Sequence, residues 1–140
     1  MDHTCTLGKE ERLKSRKLIE RIFREGQRIA LFPFRVYYFV SASPIGGPAA
    51  PAPGGRPIRL QAGFGAGSRN FKKAVDRNRI KRLTREAYRL QKQALYDHLA
   101  AKGLFMAVFF IYTGKELPDY GTVTEKIDIA LQKLIKATAS

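Results

Sequence analysis

The sequence has no tryptophan, one cysteine (Cys5), two histidines (His3 and His98), and fewer than half as many acidic as basic side chains. A lone cysteine excludes an intramolecular disulfide and fits a reducing compartment. Two isolated histidines, with no Cys or carboxylate cluster at ligand spacing, leave no candidate metal centre in the chain. No Ser-centred elbow is present either. The segment GFGAG, residues 63–67, imitates a phosphate loop but lacks both the full GxGxxG and a Walker lysine, so it reads as a strand end needing backbone freedom. No residue set could cleave or transfer anything unaided, and no catalytic residue is assigned. The longest apolar run, residues 104–112, is nine residues long, against roughly 20 needed to span a bilayer. The opening MDHTCTLGKEER lacks the apolar core of a signal peptide. Without tryptophan or a strongly amphipathic terminal helix, a membrane surface is a poor partner, and the expectation is a soluble, cytoplasmic protein.

What the sequence does have is positive charge, +14 over 140 residues. Residues 1–102 carry 22 Lys and Arg against 8 Asp and Glu, whereas residues 103–140 carry 4 against 4. The basic residues are interleaved with apolar ones at regular spacing, so they belong to folded elements rather than to a loose tail. A one-sided field of this kind suits a polyanion, nucleic acid above all. The length fits one domain over residues 1–140, able to bury roughly two thirds of its unfolded surface.

Ser15 followed by RKLIERIFREG reads as a capped helix closed by Gly26, with Leu18, Ile19, Ile22 and Phe23 at helical spacing. RIALFPFRVYYFVSA is rich in aromatic and branched residues and is broken by Pro33, which predicts a short piece and then a strand over 34–42. Residues 43–57 hold five of the seven prolines and four of the twelve glycines and read as a flexible loop. A strand is expected over 58–67, then a helix beginning near 70–72 that can run on to Gly103. LFMAVFFIY fits a strand buried on both faces. Thr122 or Thr124 opens a last helix with Ile127, Leu131, Leu134 and Ile135 on one face. The order predicts an α+β sandwich with helices packed on a mostly antiparallel sheet.

The stretch DRNRIKRLTREAYR, residues 76–89, places six basic and two acidic side chains in fourteen positions. On a helical wheel Ile80, Leu83, Ala87 and Leu90 form an apolar stripe, and Arg77, Lys81, Arg85 and Arg89 form a basic one. Like charges four apart cost about 0.2–0.5 kcal/mol per pair, so three pairs cost on the order of 1 kcal/mol. Lys72 and Lys73 add cations near the helix N-terminus, where the macrodipole disfavours them. Five of the six basic residues are Arg, whose planar fork engages phosphate bidentately. The alternative is a solvated helix face. A ribosomal or assembly protein needs the same basic surface. A DNA-binding helix fits less well, because this one has the stripe of a packed core element and no helix-turn-helix partner.

The run KKAVDRNRIKRLTREAYR, residues 72–89, closely resembles the signature of the bacterial ribonuclease P protein component, an Arg-Asn-Arg helix preceded by Ala-Val. RLKSRKLIERIFREG is similar to that family's first helix, FRVYYF to its aromatic strand, and FIYTGKELPDY to the segment after its last strand. The resemblance implies an α-β-β-β-α-β-α two-layer sandwich with a left-handed β-α-β crossover through the Arg-Asn-Arg helix, contrary to the usual right-handed rule. It also implies a protein cofactor to the ribonuclease P catalytic RNA, which removes the 5′ leader of precursor tRNA using Mg2+ bound mainly by the RNA. The partners implied are that RNA and precursor tRNA, with neither DNA nor membrane.

Carried over by position, Arg77, Asn78, Arg79, Lys81, Arg82 and Arg85 match the motif and are expected to face RNA, with Arg89, Arg69, Lys72 and Lys73 extending the surface. Phe23 and Tyr37 match the aromatic positions of the family's leader cleft, and Phe34 lies on the same strand. Aromatic faces in a basic groove suit single-stranded RNA of any sequence, at roughly 1–3 kcal/mol per stacked base. The alternative for all three rings is ordinary core packing. Two positions depart from the family pattern. Ile19 stands where an aromatic is frequent, and Ser68 stands where many members carry a basic residue, leaving Arg69, Lys72 and Lys73 to supply the charge.

Overall fold

The computed structural model describes residues 16–42, 59–67 and 69–139. The expected Ser15 cap, the 43–57 loop, Ser68, His3 and Cys5 lie outside the described residues.

The first helix, α1 (Arg16–Glu25), buries Leu18 and Ile22, four residues apart on one side. It ends at Gly26, whose N–H donates to the Ile22 carbonyl at 2.8 Å. The glycine is not there for a left-handed turn, because Gly103 alone among the described residues has a positive φ. A Cβ at Gly26 would instead run into the backbone carbonyl oxygens of Tyr38 and Ile22. The missing side chain lets the end of α1 close onto the sheet.

Two strands follow, β1 (Gln27–Leu31) and β2 (Phe34–Ser41), joined as a hairpin through Phe32 and Pro33. The break expected at Pro33 is therefore the hairpin turn. With β3 (Leu60–Ala66) and β4 (Phe105–Tyr112) they make a four-stranded sheet in the order β1-β2-β4-β3. The strand β4 is antiparallel to β2 and parallel to β3. Its near-continuous apolar sequence follows from this central position, with Met106, Val108 and Phe110 buried toward one face and Phe105 and Ala107 toward the other.

Parallel neighbours need a long crossover, and α2 (Ala74–Gln91) and α3 (Gln93–Lys102) supply it. The expected single helix is thus divided at Lys92. Unbroken, it would extend roughly 43 Å, well beyond a sheet whose strands reach only about 23–26 Å. The bend lets Leu95 and Leu99 of α3 join Ile80, Ala87 and Tyr88 of α2 in the same core. Gly103 closes α3 as expected, in the left-handed conformation at φ 70° and ψ 28°. Its N–H reaches the Leu99 and Ala100 carbonyls, and the Leu104 N–H reaches Leu99 at 2.9 Å, a Schellman-type stop.

The last helix, α4 (Tyr120–Ala137), starts earlier than expected. Asp119, rather than either threonine, is its N-cap, accepting the Thr122 N–H at 2.7 Å. That bond holds the Asp119 carboxyl below the usual carboxylate range. The expected face is buried at Ile127, Leu131 and Leu134, half-buried at Ile135, and extended by Val123 and Ala130.

The sheet is covered unequally. Alternation sends Phe34, Val36, Tyr38, Val108 and Phe110 into the large core beneath α2, α3 and α4. Tyr37, Phe39, Ala107 and Phe109 point the other way, where α1 packs on them with Leu18, Ile19 and Ile22 and leaves all but Ala107 half-buried. This is the expected α+β sandwich, with one short helix on the second face. Among the described residues no helix is long and apolar enough to cross a membrane.

Gly26→Ala should lower the free energy of unfolding by about 1–3 kcal/mol, since both obstructing atoms are backbone and neither can swing aside. A urea midpoint equal to that of the parent chain would contradict this account of the α1–sheet junction.

Candidate nucleic-acid interface

The face of α2 that meets the core consists of Ile80, Thr84, Ala87 and Tyr88. Thr84 is accommodated because its hydroxyl donates to the Ile80 carbonyl at 2.8 Å. Tyr88 packs against the stacked Phe64–Phe110 pair, with ring centroids 5.6 and 5.7 Å away. The apolar stripe expected from spacing is therefore rotated. Leu83 only flanks the core, and Leu90 is 50 % exposed. Sequence spacing favoured Leu90, but the aromatic pair on β3 and β4 takes Tyr88 instead.

This rotation sorts the basic residues. Asn78, Arg79 and Arg82 are exposed, and Lys81 and Arg85 are half-buried along the side of the helix. No carboxylate among the described residues is within ion-pair distance of Arg79, Lys81, Arg82 or Arg85. The two ends of the expected basic stripe behave differently. Arg77 folds back and donates to the Phe71 carbonyl at 2.7 Å and the Lys72 carbonyl at 2.9 Å. It secures the segment leading into the helix, which begins at Ala74 after an extended Lys73. Arg89 makes a close ion pair with Glu86. The hydrogen bond from Arg89 holds the Glu86 carboxyl below its ordinary range, so that end of the stripe stays neutralised as a pair. The cations without an ion-pair partner among the described residues are concentrated between Arg79 and Arg85, with Arg85 also acting at a distance on the Glu86 carboxyl.

Upstream of the helix, Arg69, Lys72 and Lys73 are all exposed. Asn70 anchors this segment by donating to the Thr113 and Gly114 carbonyls at 3.2 and 3.3 Å. The three cations thus lie on either side of Asn70, whose bonds tie this segment to the residues that follow β4.

On the opposite face of the sheet, Phe23 and Tyr37 meet edge to face at 4.7 Å. Phe109 completes the group, 5.5 Å from Phe23. Phe23 is 43 % exposed although it sits against two rings, so a sizeable apolar surface faces solvent. Ile19 packs at the edge of the same cluster. Phe109 has no local signal in the sequence; its place follows from its register opposite Tyr37, a pairing across 72 positions that local spacing does not reveal. Phe34 does not belong here. It is 1 % exposed and packs on Tyr112 in the large core, because alternation sends it to the other face from Tyr37. It has no surface to offer a base.

Among the described residues no group of three His, Cys, Asp or Glu could hold a metal ion. His98 is engaged with the Thr138 hydroxyl at 2.9 Å, between α3 and the end of α4. The arrangement can therefore bind a polyanion and stack on flat rings, but among the described residues it contains no general acid–base pair set against a nucleophile.

A family model described as Ribonuclease P matches residues 7–134. A ribonuclease P protein component from Porphyromonas gingivalis is 34 % identical over 131 residues, covering 94 % of this chain and 88 % of that protein. The one from Chlorobium phaeobacteroides is 30 % identical over 132 residues, covering 89 % and 85 % respectively. The solved ribonuclease P protein of Staphylococcus aureus shares the fold, with a TM-score of 0.62 at 18 % identity over 89 % of this chain and 94 % of that one. A helix packed by its Ile80–Tyr88 side and basic on the other, embedded in a sequence matched almost from end to end, shows that this chain belongs to the ribonuclease P protein family.

Proposed function

We propose that the chain is the protein subunit of a ribonucleoprotein ribonuclease P, gripping the catalytic RNA through α2 and the 5′ leader of precursor tRNA through the Phe23–Tyr37–Phe109 cluster. The observation that carries the reading is the set of four cations, Arg79, Lys81, Arg82 and Arg85, without ion-pair partners among the described residues, on a helix whose other side is fixed in the core. Such a set is unfavourable for the isolated chain and favourable beside a phosphate backbone, where each contact releases condensed counterions. Arg69, Lys72 and Lys73 continue the same surface along the bridge from β3. Asn78, exposed beside Arg79, adds a neutral hydrogen-bonding group.

The aromatic cluster suits the leader because stacking requires no particular base. A subunit that accepts many leaders needs that indifference. Phe23 and Tyr37 are the ring surfaces in this reading, with Phe109 holding them in place.

The chemistry is assigned to the RNA. Mg2+ prefers a nearly octahedral shell of hard oxygens, usually one or two carboxylates together with phosphates and waters. Near the basic face the described carboxylates are Asp76, close to the helix start, and Glu86, already paired with Arg89. These donors do not fit a dedicated Mg2+ site on the protein. In the holoenzyme, metal held by RNA would activate water and stabilise charge at the scissile phosphate, while the protein orders the RNA and positions the leader. The product is tRNA with a mature 5′ end.

Purified protein alone should leave precursor tRNA intact, and adding it to the cognate ribonuclease P RNA should restore leader removal at Mg2+ concentrations too low for the RNA by itself. Metal-dependent cleavage by the protein without RNA, or no effect on the RNA's Mg2+ requirement, would overturn the assignment. Replacing Arg79 and Arg82 together by alanine should weaken assembly with the RNA. The slope of log affinity against log salt should become shallower by about 0.7–0.9 for each phosphate that is no longer neutralised. An unchanged slope would return both residues to the role of a solvated helix face.

A further inference from the structure

Four of the six large hydrophobic side chains exposed among the described residues, Phe32, Val75, Leu117 and Tyr120, belong to one end of the sheet. Phe34 at the start of β2 and Ala66 at the end of β3 both pair with Tyr112 at the end of β4. The hairpin tip with Phe32, the start of α2 with Val75, and the segment through Leu117 to Tyr120 therefore all leave the sheet there. Phe32 is the most exposed of the four, at 77 %. No other ring among the described residues packs on it.

A single exposed phenylalanine is ordinary, but this one sits on a fastened tip. Thr113 donates to the Pro33 carbonyl twice, from its backbone N–H at 2.6 Å and from its hydroxyl at 3.0 Å. The Thr113 carbonyl in turn accepts the Asn70 amide at 3.2 Å. One residue at the end of β4 thus ties the hairpin tip to the segment that carries Arg69, Lys72 and Lys73. Arg77 holds the other side of that segment through the Phe71 and Lys72 carbonyls. Beyond Thr113, the Tyr112 hydroxyl donates to the Glu116 carbonyl at 2.6 Å, across Gly114, where a Cβ would run into that hydroxyl.

Charge at this end is mostly positive. Arg69, Lys72, Lys73 and Lys115 are exposed, and no carboxylate among the described residues is within ion-pair distance of them. Asp119 caps α4, and Asp76 lies in the first turn of α2, where the macrodipole favours it. Glu116 is left against four cations. Because β2 and β3 flank β4, the tip and the cationic segment stand two inter-strand spacings apart, about 10 Å. A short run of nucleotides spans that distance.

We infer that the Phe32 ring is a stacking post for an unpaired base of the catalytic RNA, with Arg69, Lys72 and Lys73 holding phosphates beside it. A flat ring among cations suits an unpaired nucleotide, because the base covers the ring and the backbone meets the charges. An apolar protein surface would cover the ring and bury those charges without partners. The cationic segment leads into α2 rather than toward the Phe23–Tyr37 rings, so the RNA met here is the one that α2 holds. This contact rests on the subunit assignment above and adds to it a grip made by a ring rather than by charge.

The chain has no tryptophan, so Phe32→Trp places a single fluorescent reporter at the tip. Its emission should be quenched by the cognate ribonuclease P RNA and unchanged by precursor tRNA alone. Phe32→Ala and Phe32→Leu should each weaken affinity for that RNA on the order of tenfold, the scale of one stacked base. Phe32→Tyr should keep the affinity, and the salt dependence should match the parent chain in every variant, because no charge is lost. Full affinity of Phe32→Ala, or an emission that the RNA leaves unchanged, would overturn the contact and leave the subunit assignment standing. Equal quenching by precursor tRNA alone would overturn it by placing the ring on the substrate. Quenching that grows with protein concentration in the absence of RNA would overturn it in favour of a second copy of the chain. If the parent chain itself does not bind the RNA, the subunit assignment fails and the contact fails with it.

Discussion

Ile80, Ala87 and Tyr88 are sealed against the sheet on one side of α2, and their burial fixes the rotation of that helix about its own axis. A large apolar side chain contributes on the order of 1.5–3 kcal/mol when fully buried, several times the few tenths of a kcal/mol that separate charged neighbours on a helix surface gain or lose. The core therefore decides the orientation and the charges must accept it. Arg79, Lys81, Arg82 and Arg85 stay on the outer side of the helix because turning it to bury them would expose Tyr88 and break its contacts with the stacked Phe64–Phe110 pair. A basic surface results on a helix whose backbone is fixed by the core.

The same division between scaffold and surface holds on the other face. Leu18 and Ile22 fasten α1 over Ala107, and Gly26 lets the helix end approach the Tyr38 carbonyl. Phe23, one position beyond Ile22, is thereby held at the rim against Tyr37 and Phe109 rather than inside. With β3 and its following bridge as the common border, the aromatic strip and the α2 face meet along one edge of the sheet. On the proposed reading, that edge is where leader and catalytic RNA come together.

Much of this could be read from sequence because it is periodic or punctuated. Four-residue spacing exposed α1 and α4, Pro33 marked the hairpin, Gly103 stopped α3, and the unbroken apolar run of β4 indicated its central position. What composition and spacing left unread is geometry, some of it between distant positions and some of it local. The choice of Tyr88 over Leu90 for the core is made by rings on β3 and β4. Phe34 and Tyr37, three residues apart, fall on opposite faces because a strand alternates, which removes Phe34 from the candidate cleft. Phe109 enters only through its register with Tyr37. Arg77 resembled one more surface cation, yet carbonyls five and six residues earlier in the chain take its guanidinium. Glu86, close in sequence to both Arg85 and Arg89, hydrogen-bonds Arg89 and feels Arg85 only at a distance. In each case the local signal is correct about composition and silent about geometry.

The central claim is that the cations of α2 are kept for RNA at the expense of the isolated fold. Lys81→Gln with Arg85→Gln tests it most directly, by measuring thermal stability and affinity for the ribonuclease P RNA on the same preparation. The account predicts a Tm equal to or above that of the parent chain, because repulsion is relieved, together with weaker and less salt-dependent RNA binding. A lower Tm with unchanged RNA affinity would contradict it and make these residues part of the scaffold.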